Sequence, residues 1–150
     1  MWYTDDPPTV PCDGSLPLNP PALWFPQAGG TRLMIETIGP HFGITRPSGR
    51  LPIHEEKADG TDLSQFNAHY RDSSGMHSSD SVDYAIVISG QTLARGGDGT
   101  EIMLEAGDCV VRTGVRHTWR NRSASPCQVA FVLIGAVRTG DPEESFEPAD

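Results

Sequence analysis

Two histidines and an aspartate stand where they could act together. His77 follows a Ser-Gly turn, Asp83 opens an apolar segment, and His117 begins the segment His-Thr-Trp-Arg-Asn. Side chains of a strand alternate between its two faces, and the inward faces of a small barrel converge on one space. We therefore expect one pocket. Two imidazoles and a carboxylate could hold a divalent metal, or act as general acid and base with Asp83 orienting an imidazole.

The elements that must position these residues read as short strands. Glycine (16) and proline (13) are frequent for 150 residues, which suits tight turns and disfavours long helices. Short strands at this spacing predict an all-β barrel or sandwich. The predicted strands are RLMIETI, SQFNAHYR, DYAIVIS, QTLAR, TEIMLE, CVVR, HTWRN and CQVAFVLIGAV, with a long loop over 39–63 and a Gly-Gly-Asp-Gly hairpin turn after QTLAR.

The segment from Met76 to Asn121 resembles the cupin superfamily. The first cupin motif, HxHxxxE followed by Gly, is matched in spacing by His-Ser-Ser-Asp-Ser-Val-Asp over 77–83 and by Gly90. The second motif, Gly followed by PxGxxHxxxN, is matched by Gly107 and by residues 112–121. The resemblance implies a single jelly-roll barrel, a double-stranded β-helix, with a pocket inside it.

The resemblance also implies a metal site, from which this chain departs. The family usually holds its metal with three histidines and one glutamate. Here Ser79 stands in place of the second histidine and Asp83 in place of the glutamate, while Arg112 replaces the proline of the second motif. The resemblance thus implies His77, Asp83 and His117 as ligands of Fe, Mn, Ni or Zn, with open coordination positions.

Other side chains are candidates for the same pocket. His69 lies on a predicted strand and could substitute for the missing ligand or act in catalysis, although an exposed strand histidine is an equally good interpretation. Arg71 or Arg112 could bind a substrate carboxylate through two parallel hydrogen bonds. Trp119 could form an apolar wall. Ser79 and Tyr84 complete the predicted substrate-binding set.

Composition restricts the partners. The net charge of -9 argues against nucleic acid and anionic membrane surfaces, because phosphate contacts require basic patches. No apolar stretch approaches membrane-spanning length, and the first residues lack the pattern of a signal peptide. Three widely spaced cysteines give no disulfide framework. We expect a cytoplasmic protein.

The chain divides into three parts by composition. Residues 1–30 form a proline-rich arm whose aromatic residues, Trp2, Trp24 and Phe25, are expected to dock on the barrel or on a second subunit. Residues 31–138 form the barrel, and residues 139–150 form an acidic tail. The arm and the long apolar last strand predict a homodimer.

Three functions follow as hypotheses. The first is a lyase, a decarboxylase or dehydratase acting on a small carboxylated or phenolic metabolite; the Asp83-Tyr84 pair that opens a strand is similar to one in small stand-alone cupins. The second is a metal-dependent dioxygenase or isomerase. The third is a non-catalytic binding module, since the fold alone does not determine the reaction.

Overall fold

A computed structural model of the chain describes residues 2–11, 24–41 and 75–140. These residues form eight strands and, within those ranges, no helix that could cross a membrane. The strands are β1 (Trp2–Thr4), β2 (Thr31–Ile38), β3 (Ser81–Ser89), β4 (Gln91–Gly96), β5 (Glu101–Glu105), β6 (Cys109–Thr113), β7 (His117–Arg120) and β8 (Cys127–Gly135). The all-β class predicted from the sequence is confirmed.

The strands form two antiparallel sheets. The larger has the order β1-β2-β8-β3-β6 and the smaller has the order β5-β4-β7. Strand β8 is central, pairing with β2 on one side and with β3 on the other. The inward faces of the two sheets enclose the core, as in a jelly roll.

Alternation along β3 decides which of its residues enter the core. In β3, Asp83, Ala85 and Val87 are buried while Tyr84 and Ile86 are exposed. The main apolar cluster contains residues from both sheets: Ile38, Ala85, Val87, Ala94, Leu104, Cys127 and Val129. Further along β3, the polar side chain of Asp83 belongs to a layer that also includes His117, and a second apolar cluster of Phe25, Met34 and Leu133 lies beside it.

The predicted strands within the described residues are confirmed, and one strand is additional. Trp2–Thr4 pairs with β2 at the edge of the larger sheet, within the segment that the sequence predicts as an arm. Buried Arg32 holds it there, donating to the carbonyl of Thr4 at 2.7 Å and to the carboxylate of Asp5 at 2.7 Å. A separate arm over 1–30 is therefore not confirmed. The predicted strand 64–71, most of the loop 39–63 and most of the acidic tail lie outside the described residues.

Candidate functional site

The polar layer of the barrel interior is assembled from both sheets. Asp83 of β3 pairs in register with Arg112 of β6, and both side chains face inward. His117 begins β7 in the other sheet. His77 joins it through an isolated bridge, with backbone hydrogen bonds of 3.0 and 2.9 Å between the two residues. Four residues of the two sequence motifs thus meet in one layer.

The two imidazoles lie against each other. Their ring centroids are 4.4 Å apart and their planes are inclined by 57°. His117 is buried and His77 is half-buried, so the pair reaches from the interior toward the surface. A group that binds at one ring is therefore close to the other.

Backbone carbonyls fix the tautomer of both rings. Nδ1 of His77 lies 3.0 Å from the carbonyl oxygen of Gly75, and Nδ1 of His117 lies 2.9 Å from that of Val115. A carbonyl only accepts, so each Nδ1 carries the proton and each neutral ring keeps its lone pair on Nε2. Gly114, whose φ of +77° is favoured in glycine, makes the turn that presents the carbonyl of Val115.

His117 is held neutral. Burial lowers its pKa well below the ordinary value of 6.5, and the positive charges of Arg112 and His77 lower it further, against the opposing effect of the Val115 hydrogen bond. A neutral imidazole with a free Nε2 is a proton acceptor and also a metal ligand.

Asp83 is held by hydroxyl groups rather than by a histidine. Ser81 donates to Oδ1 at 2.6 Å, and Ser79 donates to Oδ2 at 3.3 Å. The pKa of Asp83 is raised by burial, an effect that the Ser81 hydrogen bond, the charge of Arg112 and the Ser79 hydrogen bond reduce. The idea that Asp83 orients an imidazole is therefore corrected: backbone carbonyls do so.

Arg112 is a buried cation beside these groups. Its side chain is 7% exposed, and its guanidinium lies over the ring of Trp119, 4.2 Å from the centroid. Burial lowers its pKa to about 10, which the nearby charge of Asp83 partly offsets, so it stays protonated at neutral pH. Trp119 in turn packs edge-on against Phe131.

The structure brings together five of the predicted pocket residues besides Arg112: His77, Ser79, Asp83, His117 and Trp119. Tyr84 has to be corrected. It lies 38% exposed on the outer face of the sheet, because it follows inward-facing Asp83 and neighbouring strand residues point to opposite faces. His69 and Arg71 lie outside the described residues, so their roles stay predictions.

Sequence reasoning missed three contributors to the site. Ser81 makes the shortest hydrogen bond to Asp83, and its position two residues earlier on the same strand face could have indicated it. The carbonyls of Gly75 and Val115 each stand two residues before a histidine, yet a backbone group carries no signal of its own in a sequence.

The donor set fits a metal only in part. The Nε2 atoms of His77 and His117 are suitable ligands, whereas both oxygens of Asp83 already accept hydrogen bonds. Within ranges 2–11, 24–41 and 75–140, no group of three or more His, Cys, Asp or Glu side chains could hold a metal ion. A metal at His77, Asp83 and His117 stays a prediction.

Part of the chain matches a known family model, and several known proteins are similar to it. Residues 68–134 match the family model described as "Cupin domain". A solved structure, a Cupin 2 conserved barrel domain protein from Salinispora arenicola, is 18% identical and superposes with a TM-score of 0.43, covering 71% of this chain and 64% of that one.

Two curated relatives come from Diaporthe leptostromiformis. Phomopsin biosynthesis cluster protein C' is 32% identical over 121 residues, covering 71% of this chain and 57% of the relative. Phomopsin biosynthesis cluster protein D is 32% identical over 87 residues, covering 49% of this chain and 46% of the relative. The chain thus spans about half the length of the curated relatives it matches. The all-β fold of the described residues and the match over residues 68–134 support a small cupin-like domain in this chain.

Proposed function

We propose that this protein is a small-molecule lyase, a decarboxylase or dehydratase acting on a carboxylated or phenolic metabolite inside the barrel. The observation that carries the proposal is the pair of adjacent, tilted imidazoles whose Nδ1 atoms both lie within hydrogen-bonding distance of carbonyl oxygens. Preorganised lone pairs on Nε2, in a buried layer that also holds a carboxyl group and a cation, form an acid–base set.

The residues divide the work as follows. In a dehydration, Nε2 of His117 accepts a proton from the carbon next to the substrate carbonyl or carboxyl group. The electron pair forms a carbon–carbon double bond, and the hydroxyl group leaves as water with a proton from the acid form of Asp83 or from His77 when it is protonated on Nε2. In a decarboxylation, the bond to the carboxyl carbon breaks, and the carbanion takes that proton after carbon dioxide leaves. Arg112 stabilises the negative charge that develops on a substrate oxygen.

The curated relatives support a role in biosynthesis. Both are named as proteins of a phomopsin biosynthesis cluster. By extension, we propose that the substrate of this chain is a metabolite of a biosynthetic pathway.

The test follows protons at carbon. The full-length chain is incubated in deuterated water with a panel of hydroxy acids, keto acids and phenolic acids, and products are read by mass spectrometry and NMR. The proposal expects deuterium incorporation, with loss of carbon dioxide or water from at least one compound. Binding without exchange or product would contradict it and favour the non-catalytic module.

Matched variants show which histidine matters. His117→Asn removes the proton acceptor and should abolish exchange. His41→Asn is the control, because His41 is exposed and has a φ of 58°, a conformation that asparagine tolerates. Equal exchange in both variants would contradict the assignment of His117.

A metal-dependent dioxygenase or isomerase is the second candidate, and one observation favours it. Hydrogen bonding of Nδ1 to a carbonyl is the arrangement that orients metal-bound histidines. His77 and His117, with Asp83, would hold Fe, Mn, Ni or Zn, which would polarise a substrate oxygen. The same Nε2 atoms cannot serve as ligands and as bases at once. The charge of Arg112 opposes a cation here, so we place the lyase first.

Metal analysis of the purified full-length chain separates the two candidates. Stoichiometric iron with substrate-dependent oxygen uptake would support the dioxygenase. Activity that survives exhaustive treatment with a chelator would support the acid–base lyase.

We also propose that the protein is a homodimer, joined through the outer face of the larger sheet. A row of paired side chains crosses this face from Leu33 through half-buried Val132 and Tyr84 to Val111, and Leu33, Tyr84 and Val111 are exposed. The outward side chains of β2, β3, β6 and β8 carry no charge, in a chain with a net charge of -9. A second copy can meet such a face without charge repulsion.

Light scattering after size exclusion tests the dimer. The wild type should have twice the mass of the chain, and Ile86→Glu, which places a charge on this face, should be monomeric and folded. A monomeric wild type would contradict the proposal.

A further inference from the structure

Arg112 is a buried cation with two unsatisfied guanidinium nitrogens. It is 7% exposed, and its Nε and Nη1 atoms are buried without a hydrogen-bond partner. No ion pair within 4.0 Å joins it to a carboxylate among the described residues, although Asp83 stands opposite it in the β3–β6 register. The carboxylate of Asp83 is instead engaged by serine hydroxyl groups.

Such an arrangement is costly for folding. A guanidinium that leaves water needs an anion and partners for its N–H groups, and a buried donor without a partner forfeits its hydration. The ring of Trp119, 4.2 Å away, compensates the charge only in part and accepts none of the missing hydrogen bonds. The other buried arginine, Arg32, differs: it pairs with Asp5 and donates to the carbonyl of Thr4.

We propose that Arg112 is the receptor for the carboxylate group of the ligand, so the barrel selects carboxylic acids over neutral phenols. This inference rests on the proposed function for the identity of the ligand as the substrate. A carboxylate supplies the two things that Arg112 lacks, a negative charge and oxygen acceptors in the plane of the guanidinium.

The surroundings of Arg112 favour a carboxylate over a phosphate. Arg112 brings a single positive charge to the described polar layer and Asp83 lies close by, whereas the charge of buried Arg32 is paired with Asp5. A dianion would meet net repulsion in that layer, whereas a monoanion is matched by the guanidinium. Trp119 beneath the guanidinium provides an apolar wall for the carbon skeleton that carries the carboxylate.

The position also connects recognition with chemistry. The charge of Arg112 acts on both His117 and Asp83, which shows that all three lie within one electrostatic neighbourhood. A carboxylate on Arg112 would therefore place the adjacent carbon near the imidazole pair. Among the described residues, this is the polar group with the clearest unmet demand for a ligand.

The test compares acids with their neutral amides. Thermal unfolding of the full-length chain is followed with acetate, malonate and benzoate, and with acetamide, malonamide and benzamide, at constant ionic strength. We expect the carboxylates to raise Tm in a saturable manner and the amides to leave it unchanged. Equal shifts with acids and amides, or a larger shift with inorganic phosphate, would overturn the carboxylate assignment.

Variants assign the effect to the side chain. Arg112→Met should raise the Tm of the ligand-free protein and abolish the shift with benzoate, because it removes a buried charge with two unsatisfied N–H-bearing nitrogens. Arg120→Met, the control, should keep the shift. A merely structural Arg112 would give the opposite result, a lower Tm in the methionine variant and a benzoate shift that persists.

A second variant covers the case in which Arg112→Met fails to fold. Arg112→Lys keeps the charge and loses the planar donors, so the Kd for benzoate should rise about tenfold or more. In the wild type, the Nε–H resonance of Arg112 should move on addition of benzoate. An unmoved resonance, or an unchanged Kd in the lysine variant, would overturn the inference.

The outcomes separate this inference from the proposed function. Binding of benzoate through Arg112 without proton exchange on any acid would support carboxylate binding by Arg112 and contradict the lyase activity. Proton exchange that persists at the wild-type rate in Arg112→Met would support the lyase activity and contradict the role of Arg112 as the carboxylate receptor.

Discussion

The two layers of the barrel interior differ in how well their groups are satisfied. In the apolar layer, Ala85, Cys127 and Val129 are completely buried and contact other hydrophobic side chains. In the polar layer a few residues further along β3 and β6, the Nε and Nη1 atoms of Arg112 lack hydrogen-bond partners and the carboxyl group of Asp83 has a raised pKa. The apolar layer contains what a stable fold requires, whereas the polar layer contains buried groups that the needs of folding do not explain.

This contrast teaches where the stability and the chemistry of the domain reside. Apolar burial stabilises without specifying any reaction, whereas buried ionisable groups cost free energy and are concentrated where function requires them. Strand β3 shows both within three residues, since Asp83 and Ala85 point into the same interior. Substitutions of catalytic groups in the polar layer should therefore lower activity more than stability, whereas substitutions in the apolar layer should lower stability more than activity.

The largest expected effect is on chemistry in the polar layer. His117→Asn should lower the rate of proton exchange or turnover by about 10²–10⁴-fold, the usual contribution of a general base, with little loss of stability. Comparison of rates per folded molecule with the His41→Asn control measures it. A rate of exchange within a few-fold of the wild-type rate would contradict the proposal that the polar layer carries the chemistry.

The next effect is on stability in the apolar layer. Leu104→Ala removes a buried side chain from the main cluster and should lower the free energy of unfolding by about 2–5 kcal/mol, while leaving activity per folded molecule intact. Urea denaturation monitored by circular dichroism is the measurement. A cost below about 1 kcal/mol would mean that this cluster does not carry the stability of the barrel.

A smaller effect separates the two serines at Asp83. Ser81→Ala removes the 2.6 Å hydrogen bond and should cost about 1–3 kcal/mol, and the pKa of Asp83 should rise further. Ser79→Ala removes the 3.3 Å hydrogen bond and should have the smaller effect on both quantities. Denaturation and a carboxyl NMR titration report them. The reverse order would contradict the geometry.

The smallest effect is a pH dependence of stability. Below 6.5 the unfolded chain protonates His117 while the native state keeps it neutral, because its native pKa is lowered. Stability from this residue is therefore complete above 6.5 and is lost as the pH falls through the native pKa, by up to about 1.4 kcal/mol per pH unit. His117→Asn should lack this slope. Identical slopes in both proteins would show an ordinary histidine.

The contribution of Asp83 to the pH dependence of stability has the opposite sign, so it has to be separated from the contribution of His117. Its native pKa is raised, so its contribution is complete below the unfolded value of 3.8 and is lost as the pH rises through the native pKa. The difference between wild type and His117→Asn cancels this term, since both proteins contain Asp83.

Sequence patterns predicted much of this molecule because strands, turns and motif spacing are local. The period-two alternation around Ala85 and the glycine-rich turn after β4 predict their elements directly. The pattern could not predict that Trp2–Thr4 adds an edge strand, because its pairing with β2 depends on contacts with buried Arg32 far along the chain.

The sequence predicts most residues of the candidate site, but it does not predict the hydrogen bonds that orient them. Spacing brought His77 and His117 together, but the carbonyl groups that fix their tautomers depend on turn geometry that spacing does not reveal. The sequence predicts that Tyr84 joins Asp83 in the pocket. The structure places Tyr84 outside, because alternation along β3 sends the two side chains to opposite faces.

The most direct test of the central claim is a long-range ¹H–¹⁵N NMR spectrum of the histidine rings across a pH titration. The geometry predicts that His117 carries its proton on Nδ1 and stays neutral well below pH 6.5, with Nε2 as an unprotonated nitrogen. A proton on Nε2, or titration of His117 at its ordinary pKa, would contradict the assignment of the polar layer as an acid–base site.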